Sequence, residues 1–175
     1  GGGGAGPVGG EGGAGGGEPV VDTLRIVAAN LTSGNDQSYD LGHGIRILQG
    51  IDFDIVIIQE LNYGSDSAQD IIELVDLICG GGCEYVRGPN ANIPNGIISR
   101  YPIIDSGSWT DTQVSDRDFV WAQIDVPGAT DLWVVSVHLL GSGAAARQAE
   151  ATQLMALFDA KVPDGDFLVL GGDFN

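Results

Sequence analysis

Positive charge is scarce in this sequence: Lys and Arg together number 7, against 24 Asp and Glu, for a formal net charge of −17. A protein that binds nucleic acid by its phosphates needs a patch of Lys and Arg, so this chain is a poor candidate for such binding. The acidity instead predicts a chain that repels polyanions at long range. Only a bound cation, by inverting the local field, would bring a phosphate group close to it.

Long apolar runs are also lacking. No stretch approaches the about 18 consecutive apolar residues of a membrane span, so we expect none. The sequence begins with Gly rather than Met and shows no signal peptide, which favours a processed or trimmed N-terminus. Residues 1–19 are mostly Gly, without aromatic residues. We expect a disordered linker there, either the tether of an exported protein or an engineered segment.

Cysteine is limited to Cys79 and Cys83, which flank three glycines. The pair could close a small disulfide loop worth about 2 kcal/mol, or remain as two free thiols in a Gly-rich turn. A disulfide would favour an oxidising compartment.

Buried-strand and helix patterns begin at Leu24. Ser67 is a candidate cap for the second helix. Because strands outnumber helices and several follow each other directly, the pattern predicts a mixed sheet or two sheets with helices outside. Strands are predicted over 24–29, 54–60, 84–87, 96–100, 105–111, 118–126, 132–139 and 166–175, and helices over 43–49, 67–78 and 144–162.

The longest predicted helix, 144–162, has an apolar stripe that includes Ala151, Leu154, Met155 and Phe158. Arg147 and Glu150 are predicted on its other faces. The three tryptophans of the chain lie in predicted strands and are interpreted as packing residues: Trp109, Trp121 and Trp133.

Four apolar strand runs end in polar side chains: Asn30, Glu60, His138, and Asp173 with Asn175. Asp173 and Asn175 are one residue apart, so on an extended segment they would face one ligand together. If the strand ends lie side by side, they assemble two carboxylates, two amides and an imidazole. Hard oxygen donors with a single imidazole suit Mg²⁺, Mn²⁺ or Ca²⁺, and such a site typically assists the attack of water on phosphorus.

The same residues carry a family resemblance. Five collinear motifs resemble those of the endonuclease/exonuclease/phosphatase superfamily, also called DNase I-like: Asn30, Gln59-Glu60, residues 95–102, Ser136-Val-His138-Leu and Gly172-Asp-Phe-Asn175. The resemblance implies an α+β fold, a four-layered sandwich of two mixed sheets flanked by helices. It also implies a divalent metal, Mg²⁺ or else Mn²⁺ or Ca²⁺, and a bacterial, exported branch, secreted or tethered at the cell surface.

The resemblance further implies a role for each site residue. Glu60 would be the principal metal ligand, with Asn30 close to it and to the scissile phosphate. His138 would hydrogen-bond the phosphate and stabilise its developing charge. Asp173 would orient or deprotonate the attacking water, and Asn175 would steady the transition state.

Two further polar residues are weaker candidates. Arg117 matches a position at which some members bind phosphate, but Asp116 and Asp118 flank it and could simply pair with it. His43 lies in a Gly-rich turn and is interpreted as structural or exposed.

The sequence departs from the superfamily at its end. Members continue past the GDFN motif to a Ser-Asp-His segment, and neither His43 nor His138 fits the role of that histidine. Residues 20–175 are therefore expected to be the N-terminal two-thirds of a domain, with an unpaired sheet edge and little or no activity alone. The substrate would be a phosphate ester: DNA, a lipid head group or a small phosphodiester. A monomer is expected, and the alternative is a non-catalytic domain that binds Ca²⁺ or a partner.

Overall fold

The computed structural model describes residues 23–32, 38–89, 92–128 and 130–175, so the predicted linker over 1–19 lies outside the described residues. Within these ranges the chain forms eight strands and three helices. In order they are β1 (Ile26–Ala29), α1 (His43–Gln49), β2 (Ile55–Ile58), α2 (Ala68–Cys79), β3 (Glu84–Arg87), β4 (Gly96–Ser99), β5 (Ile103–Trp109), β6 (Phe119–Ile124), β7 (Leu132–His138), α3 (Ala144–Lys161) and β8 (Phe167–Asp173).

The strands form two mixed four-stranded sheets, in the orders β1-β2-β4-β3 and β5-β6-β7-β8. Each sheet has one parallel pair, β1 with β2 in the first and β7 with β8 in the second. The remaining neighbours are antiparallel. The carboxyl ends of the two parallel strands in each sheet therefore lie side by side. A site shared between strand ends requires this arrangement.

Three apolar clusters divide the molecule into layers. The α1 and α2 helices pack on the outer face of the first sheet, and α3 packs on the outer face of the second. Ile55, Ile57 and Ile97 of the first sheet meet Val120 and Val134 of the second between them. This is the predicted four-layered α+β sandwich. No helix in the described part of the chain is both long and apolar enough to cross a membrane.

Local chemistry sets the ends of α2. The Ser67 side chain accepts a hydrogen bond from the Asp70 amide, so Ser67 caps the helix as predicted. After the helix, Gly80 adopts a left-handed conformation that favours glycine. Cys79 and Cys83 then form a disulfide, and the alternative of two free thiols is wrong.

The buried face of α3 differs from the predicted stripe. Leu154 and Phe158 face the second sheet as expected, but Met155 is 59% exposed and Ala151 is also exposed. Glu150, predicted on another face, is fully buried. The helix is therefore rotated relative to the apolar pattern, so that a carboxylate rather than a methionine faces the protein.

The tryptophans pack on the second sheet, as predicted. Trp121 stacks between Trp109 and Trp133, with ring centroids 5.9 and 5.2 Å apart respectively. Trp133 also donates its indole N–H to Asp166 over 2.9 Å.

Strands β1 and β8 are edge strands of the two sheets among the described residues. Between them runs an apolar groove lined by Leu24, Ile26 and Val169, and Phe167 on β8 is largely exposed. The expectation that a truncated domain leaves an unpaired edge stays a prediction.

Candidate active site

The polar side chains at four strand ends meet at one edge of the sandwich. Asn30 follows β1, Glu60 lies two residues after β2, and His138 and Asp173 end β7 and β8. The Asn30 amide nitrogen donates to Glu60 Oε1 over 3.3 Å and to Asp173 Oδ2 over 3.1 Å. His138 lies between the carboxylates, with Nε2 3.6 Å from Asp173 Oδ2 and Nδ1 3.9 Å from Glu60 Oε1. The sandwich thus brings four of the predicted site residues together.

The backbone of Glu60 is strained. Its φ is 53°, in the left-handed region of backbone conformation that residues other than glycine rarely adopt. Such a conformation costs on the order of 1 kcal/mol and tends to occur at functional sites. Glu60 is only 7% exposed, and the turn ends at Leu61, whose amide donates to the Pro94 carbonyl. In this conformation the carboxylate accepts a hydrogen bond from Asn30.

Glycine lets the two sheets approach closely below the site. A Cβ on Gly171 would lie 2.7 Å from Ile57 Cδ1 and 3.4 Å from the Cβ of Ala28, both in the first sheet. A larger residue there would displace the end of the Ile57 side chain. The close approach brings Asp173, two residues later, within reach of Asn30.

Buried hydrogen bonds tie the two sheets together just beneath the site. Gln59 donates to Ser136 Oγ over 3.0 Å, and Ser136 donates to the Ile58 carbonyl over 3.2 Å. Both side chains are fully buried. Gln59 directly precedes Glu60, and Ser136 lies two residues before His138. The hydrogen bond between Gln59 and Ser136 therefore fixes the spacing between Glu60 and His138.

Tyr39 supports the site and was not predicted. Its hydroxyl accepts from the Leu31 amide over 3.1 Å and donates to the Gln59 carbonyl over 3.4 Å. Burial raises the pKa of Tyr39 above its ordinary range, so the phenol stays neutral. The sequence before Tyr39 is polar with no periodic pattern, and no local signal in the sequence marks it.

Burial and neighbouring charge set the ionisation of the site. Burial, followed by the Arg117 guanidinium, lowers the pKa of His138, so the imidazole is neutral at neutral pH. Burial acts to raise the pKa of Asp173, but hydrogen bonds from Asn30 and the Asn175 amide outweigh burial and lower it. The site therefore holds an ionised Asp173 beside a neutral imidazole.

Arg117 is 9% exposed and lies behind His138. Its Nε and Nη2 donate to the two oxygens of Asp116 over 2.9 and 3.1 Å, and Nη1 donates to the His138 carbonyl over 3.4 Å. Of the two flanking acids, Asp116 forms the ion pair, whereas Asp118 accepts from the Asp111 amide.

Asn175 lies next to Asp173, but not along an extended strand. β8 ends at Asp173, and Asn175 has a φ of 55°. Its amide N–H donates to Asp173 Oδ1 over 3.0 Å, and its side chain donates to the Leu139 carbonyl over 2.8 Å. A local turn, rather than strand alternation, joins these two residues.

His43 lies away from this site. It is exposed at the start of α1, where its Nδ1 lies 2.6 Å from Arg46 Nη2.

The donors at the site fit a divalent cation with oxygen ligands. No three His, Cys, Asp or Glu residues in the described ranges gather as a metal-binding group. Mg²⁺, however, commonly takes only one or two carboxylates and keeps several waters. Glu60 and Asp173 supply carboxylates, and the buried Asn30 Oδ1 receives no hydrogen bond from a described donor. This set suits Mg²⁺ or Mn²⁺ and does not suit structural zinc.

Comparison with known proteins extends these observations. The model of the endonuclease/exonuclease/phosphatase family matches residues 17–175. No match was found among curated proteins. Solved structures under 25% identical to the chain show that it shares their fold.

Three of these structures illustrate the likeness. Truncated Caenorhabditis elegans TDP2 is 12% identical with a TM-score of 0.64, over 87% of this chain and 62% of that one. A family protein from Leptotrichia buccalis is 16% identical with a TM-score of 0.63, over 87% and 67%. The mannosyl-6-phosphatase of Bacteroides thetaiotaomicron is 17% identical with a TM-score of 0.60, over 87% and 66%. A longer TDP2 chain from C. elegans is matched over only 40% of its length, so the chain spans about two-fifths to two-thirds of these structures.

Proposed function

Because the chain belongs to the endonuclease/exonuclease/phosphatase family, we propose that it carries the site of a divalent-metal-dependent phosphoesterase. The observation that carries this proposal is the meeting of Asn30, Glu60, His138 and Asp173 at one edge of the sandwich. The name of one similar structure, a mannosyl-6-phosphatase, supports phosphate-ester chemistry on this fold.

Glu60, with Asn30 beside it, would hold the cation. When bound, such a cation neutralises charge on the phosphate and makes the phosphorus easier to attack. The Asn30 amide nitrogen, which donates to both Glu60 and Asp173, keeps the two carboxylates at a fixed separation.

The remaining residues act on the substrate and on water. Neutral His138 donates an N–H to a phosphate oxygen, where negative charge develops in the transition state. Ionised Asp173 orients a water molecule and accepts its proton as the water oxygen bonds to phosphorus. The bond between phosphorus and the ester oxygen breaks in the same step, and the departing oxygen takes a proton from solvent. Asn175, held against Leu139 by its side-chain amide, steadies the same region.

The charge distribution favours a small phosphodiester over duplex nucleic acid as the substrate. Every arginine donates to a protein group: Arg25 to Asp52, Arg46 to His43, Arg87 to Leu61, Arg100 to Phe53, Arg117 to Asp116 and Arg147 to Leu140. With 24 acidic residues on the same chain, these guanidinium groups are poorly placed to track a phosphate backbone.

Export is a separate part of the proposal. The Cys79–Cys83 disulfide supports the inference that the protein works in an oxidising compartment. It would then be either secreted or tethered at a cell surface. Fractionation of the source cells tests this part, and recovery of the protein with free thiols in the cytosol would contradict it.

The test of catalysis compares Glu60→Gln with the protein isolated from its source. Glu73→Gln, which alters an exposed acid on α2, is the matched control. We expect Glu60→Gln to weaken Mn²⁺ binding and to lower hydrolysis of bis(p-nitrophenyl) phosphate by on the order of 10²-fold or more. Full metal-dependent hydrolysis by Glu60→Gln would refute the proposal. Metal binding without turnover by the unaltered protein would favour the non-catalytic alternative.

A further inference from the structure

A pair of buried acids lies beside the proposed site and plays no part in the chemistry described above. Glu150 of α3 is 0% exposed, and both of its carboxyl oxygens lie 3.1 Å from the Leu140 amide nitrogen. Asp111, in the loop after β5, is 2% exposed. Hydrogen bonds hold this loop on α3 three residues from Glu150: the Thr112 amide donates to Gln153 over 3.1 Å, and Gln153 donates to the Thr110 carbonyl over 2.6 Å. The Asp111 side chain is thereby placed within hydrogen-bond reach of Glu150. Its Oδ1 accepts from the Gln113 amide, whereas its buried Oδ2 receives no hydrogen bond from a described donor.

The groups around this pair do not neutralise two negative charges. Arg117 faces it from the loop before β6, but its guanidinium is bonded to Asp116. Arg147, on the same helix as Glu150, donates to the carbonyls of Leu140 and Gly141. Asp118 adds a further acid, because it accepts from the Asp111 amide.

Two ionised carboxylates buried in contact repel each other and lose their hydration. A single proton between them removes one charge and supplies the hydrogen bond that Asp111 Oδ2 otherwise lacks. Burial, aided by the hydrogen bond with Asp111 and its charge, raises the pKa of Glu150, in agreement with this arrangement.

We propose that Glu150 and Asp111 share one proton and serve as positioning residues for the active site, acting through the segment 139–141. The Leu140 amide of this segment donates to Glu150. The Leu139 amide donates to the Asp173 carbonyl over 2.9 Å, and the Leu139 carbonyl accepts from the Asn175 side chain. The acid pair thus holds Leu140 in place through a hydrogen bond, and the neighbouring Leu139 is hydrogen-bonded to Asp173 and Asn175 at the end of β8.

The catalytic consequence rests on the proposed function, whereas the shared proton and its hold on Leu140 do not. Because the pKa of Glu150 is raised, the protonated pair is favoured in the folded protein. Its contribution to stability is fully present below the ordinary pKa of a glutamate and is lost as pH rises through the raised value. The segment should therefore loosen as the solution becomes more alkaline.

Hydrogen exchange at the Leu140 amide, measured by NMR and corrected for intrinsic exchange, tests the proposal. Glu150→Gln copies the protonated acid, since its amide donates to Asp111 while its oxygen accepts from Leu140. Glu150→Ala removes both bonds, and Asp159→Asn, an exposed acid on the same helix, is the control.

In the unaltered protein we expect Leu140 protection to fall as pH rises above the ordinary pKa of a glutamate and through the raised pKa of Glu150, with no such fall in Glu150→Gln. In Glu150→Ala we expect protection to be about tenfold lower at the acid end, from loss of a buried hydrogen bond. Identical pH dependence in the unaltered protein and Glu150→Gln would overturn the proposal. So would a loss of protection in Glu150→Gln equal to that in Glu150→Ala, because a carboxylate would then be required.

Kinetics on the protein isolated from its source address the catalytic part. We expect Glu150→Ala to lower kcat with little change in KM, and Glu150→Gln to restore kcat while removing the decline at alkaline pH. An unchanged kcat in Glu150→Ala, in a protein that does turn over, would refute a positioning role. If the unaltered protein hydrolyses no phosphate ester, the proposed function fails, and the exchange experiment still decides whether the proton is shared.

Discussion

Gly172 and Val137 lie on neighbouring strands, with their backbones in close contact. A Cβ added to Gly172 would stand 1.9 Å from the Val137 carbonyl oxygen and 2.9 Å from its carbonyl carbon. The φ of Gly172 is 143°, which L side chains rarely adopt. Since Gly172 immediately precedes Asp173, and Val137 precedes His138, this contact sets how closely two site residues approach.

Gly172→Ala should therefore be severely destabilising. The added methyl group meets backbone atoms that cannot move without shifting β7 or β8, so we expect a loss of about 3 kcal/mol or more in the free energy of unfolding. Urea denaturation measures the change. The control is Gly50→Ala, where φ is −80° and the nearest contact is an ordinary 3.4 Å; we expect it to change stability by less than about 1 kcal/mol. Equal stability of the two variants would contradict the close approach.

Ser136→Ala should weaken the bond between the sheets. The variant removes the acceptor of Gln59 and leaves a buried amide without a partner, at a cost of about 1–3 kcal/mol. Gln59→Leu in the Ser136→Ala background should recover part of that loss, because the buried amide that lost its partner is then absent; the Ile58 carbonyl still lacks its Ser136 donor. A double-mutant cycle on unfolding free energies measures the coupling, and strict additivity would show that the two side chains do not interact.

Removal of the Cys79–Cys83 disulfide should destabilise the fold modestly. The bond closes a loop with a sequence separation of only 4, so the chain-entropy contribution is about 2 kcal/mol. Thermal unfolding of the double variant Cys79→Ser, Cys83→Ser should show this loss. The same variant should be indifferent to a reducing agent that lowers the midpoint of the unaltered protein. An unchanged midpoint in the unaltered protein after its disulfide has been reduced would argue against a stabilising role for this bond.

The Asp116–Arg117 pair should make stability fall in acid. The side-chain hydrogen bond from Arg117 is the largest influence on Asp116 and lowers its pKa. A lowered pKa contributes stability above the ordinary pKa of an aspartate, and that stability is lost as pH falls through the lowered value. Because the Asp116 side chain is 38% exposed, we expect at most about 1 kcal/mol.

Urea unfolding of Asp116→Asn over an acid pH series checks this. The variant should lose stability at neutral pH and show a shallower acid decline, whereas Asp76→Asn, an exposed acid on α2, should follow the unaltered protein. Parallel acid declines for all three proteins would rule out this pair as a source of the pH dependence.

Local sequence patterns predicted the helices and strands well, because neighbouring residues determine them. The helix at 43–49 begins and ends as expected, and Ser67 caps α2 through a bond to a residue three positions away. The polar residues that follow apolar runs were also visible, since a strand buried on both faces leaves its first polar group at its end.

The same patterns failed where distant elements decide the outcome. The apolar stripe of α3 included Met155, yet the helix turns Glu150 inward because Leu140 and Asp111 lie beneath it. For Arg117, the sequence left open a choice between phosphate and a neighbouring acid. The structure pairs it with Asp116 and sets it against His138, 21 positions along the chain.

By itself the sequence determined the elements, the identity of the polar groups at their ends and the cysteine spacing that permits a disulfide. Only the tertiary structure decided that Asn30 bonds to Asp173, 143 positions away, and that Glu60 adopts a left-handed backbone. The reason is physical: hydrogen bonds and caps within an element involve near neighbours. The site instead depends on how closely two twisted sheets stack, which the packing at Gly171 and the Gln59–Ser136 hydrogen bond set.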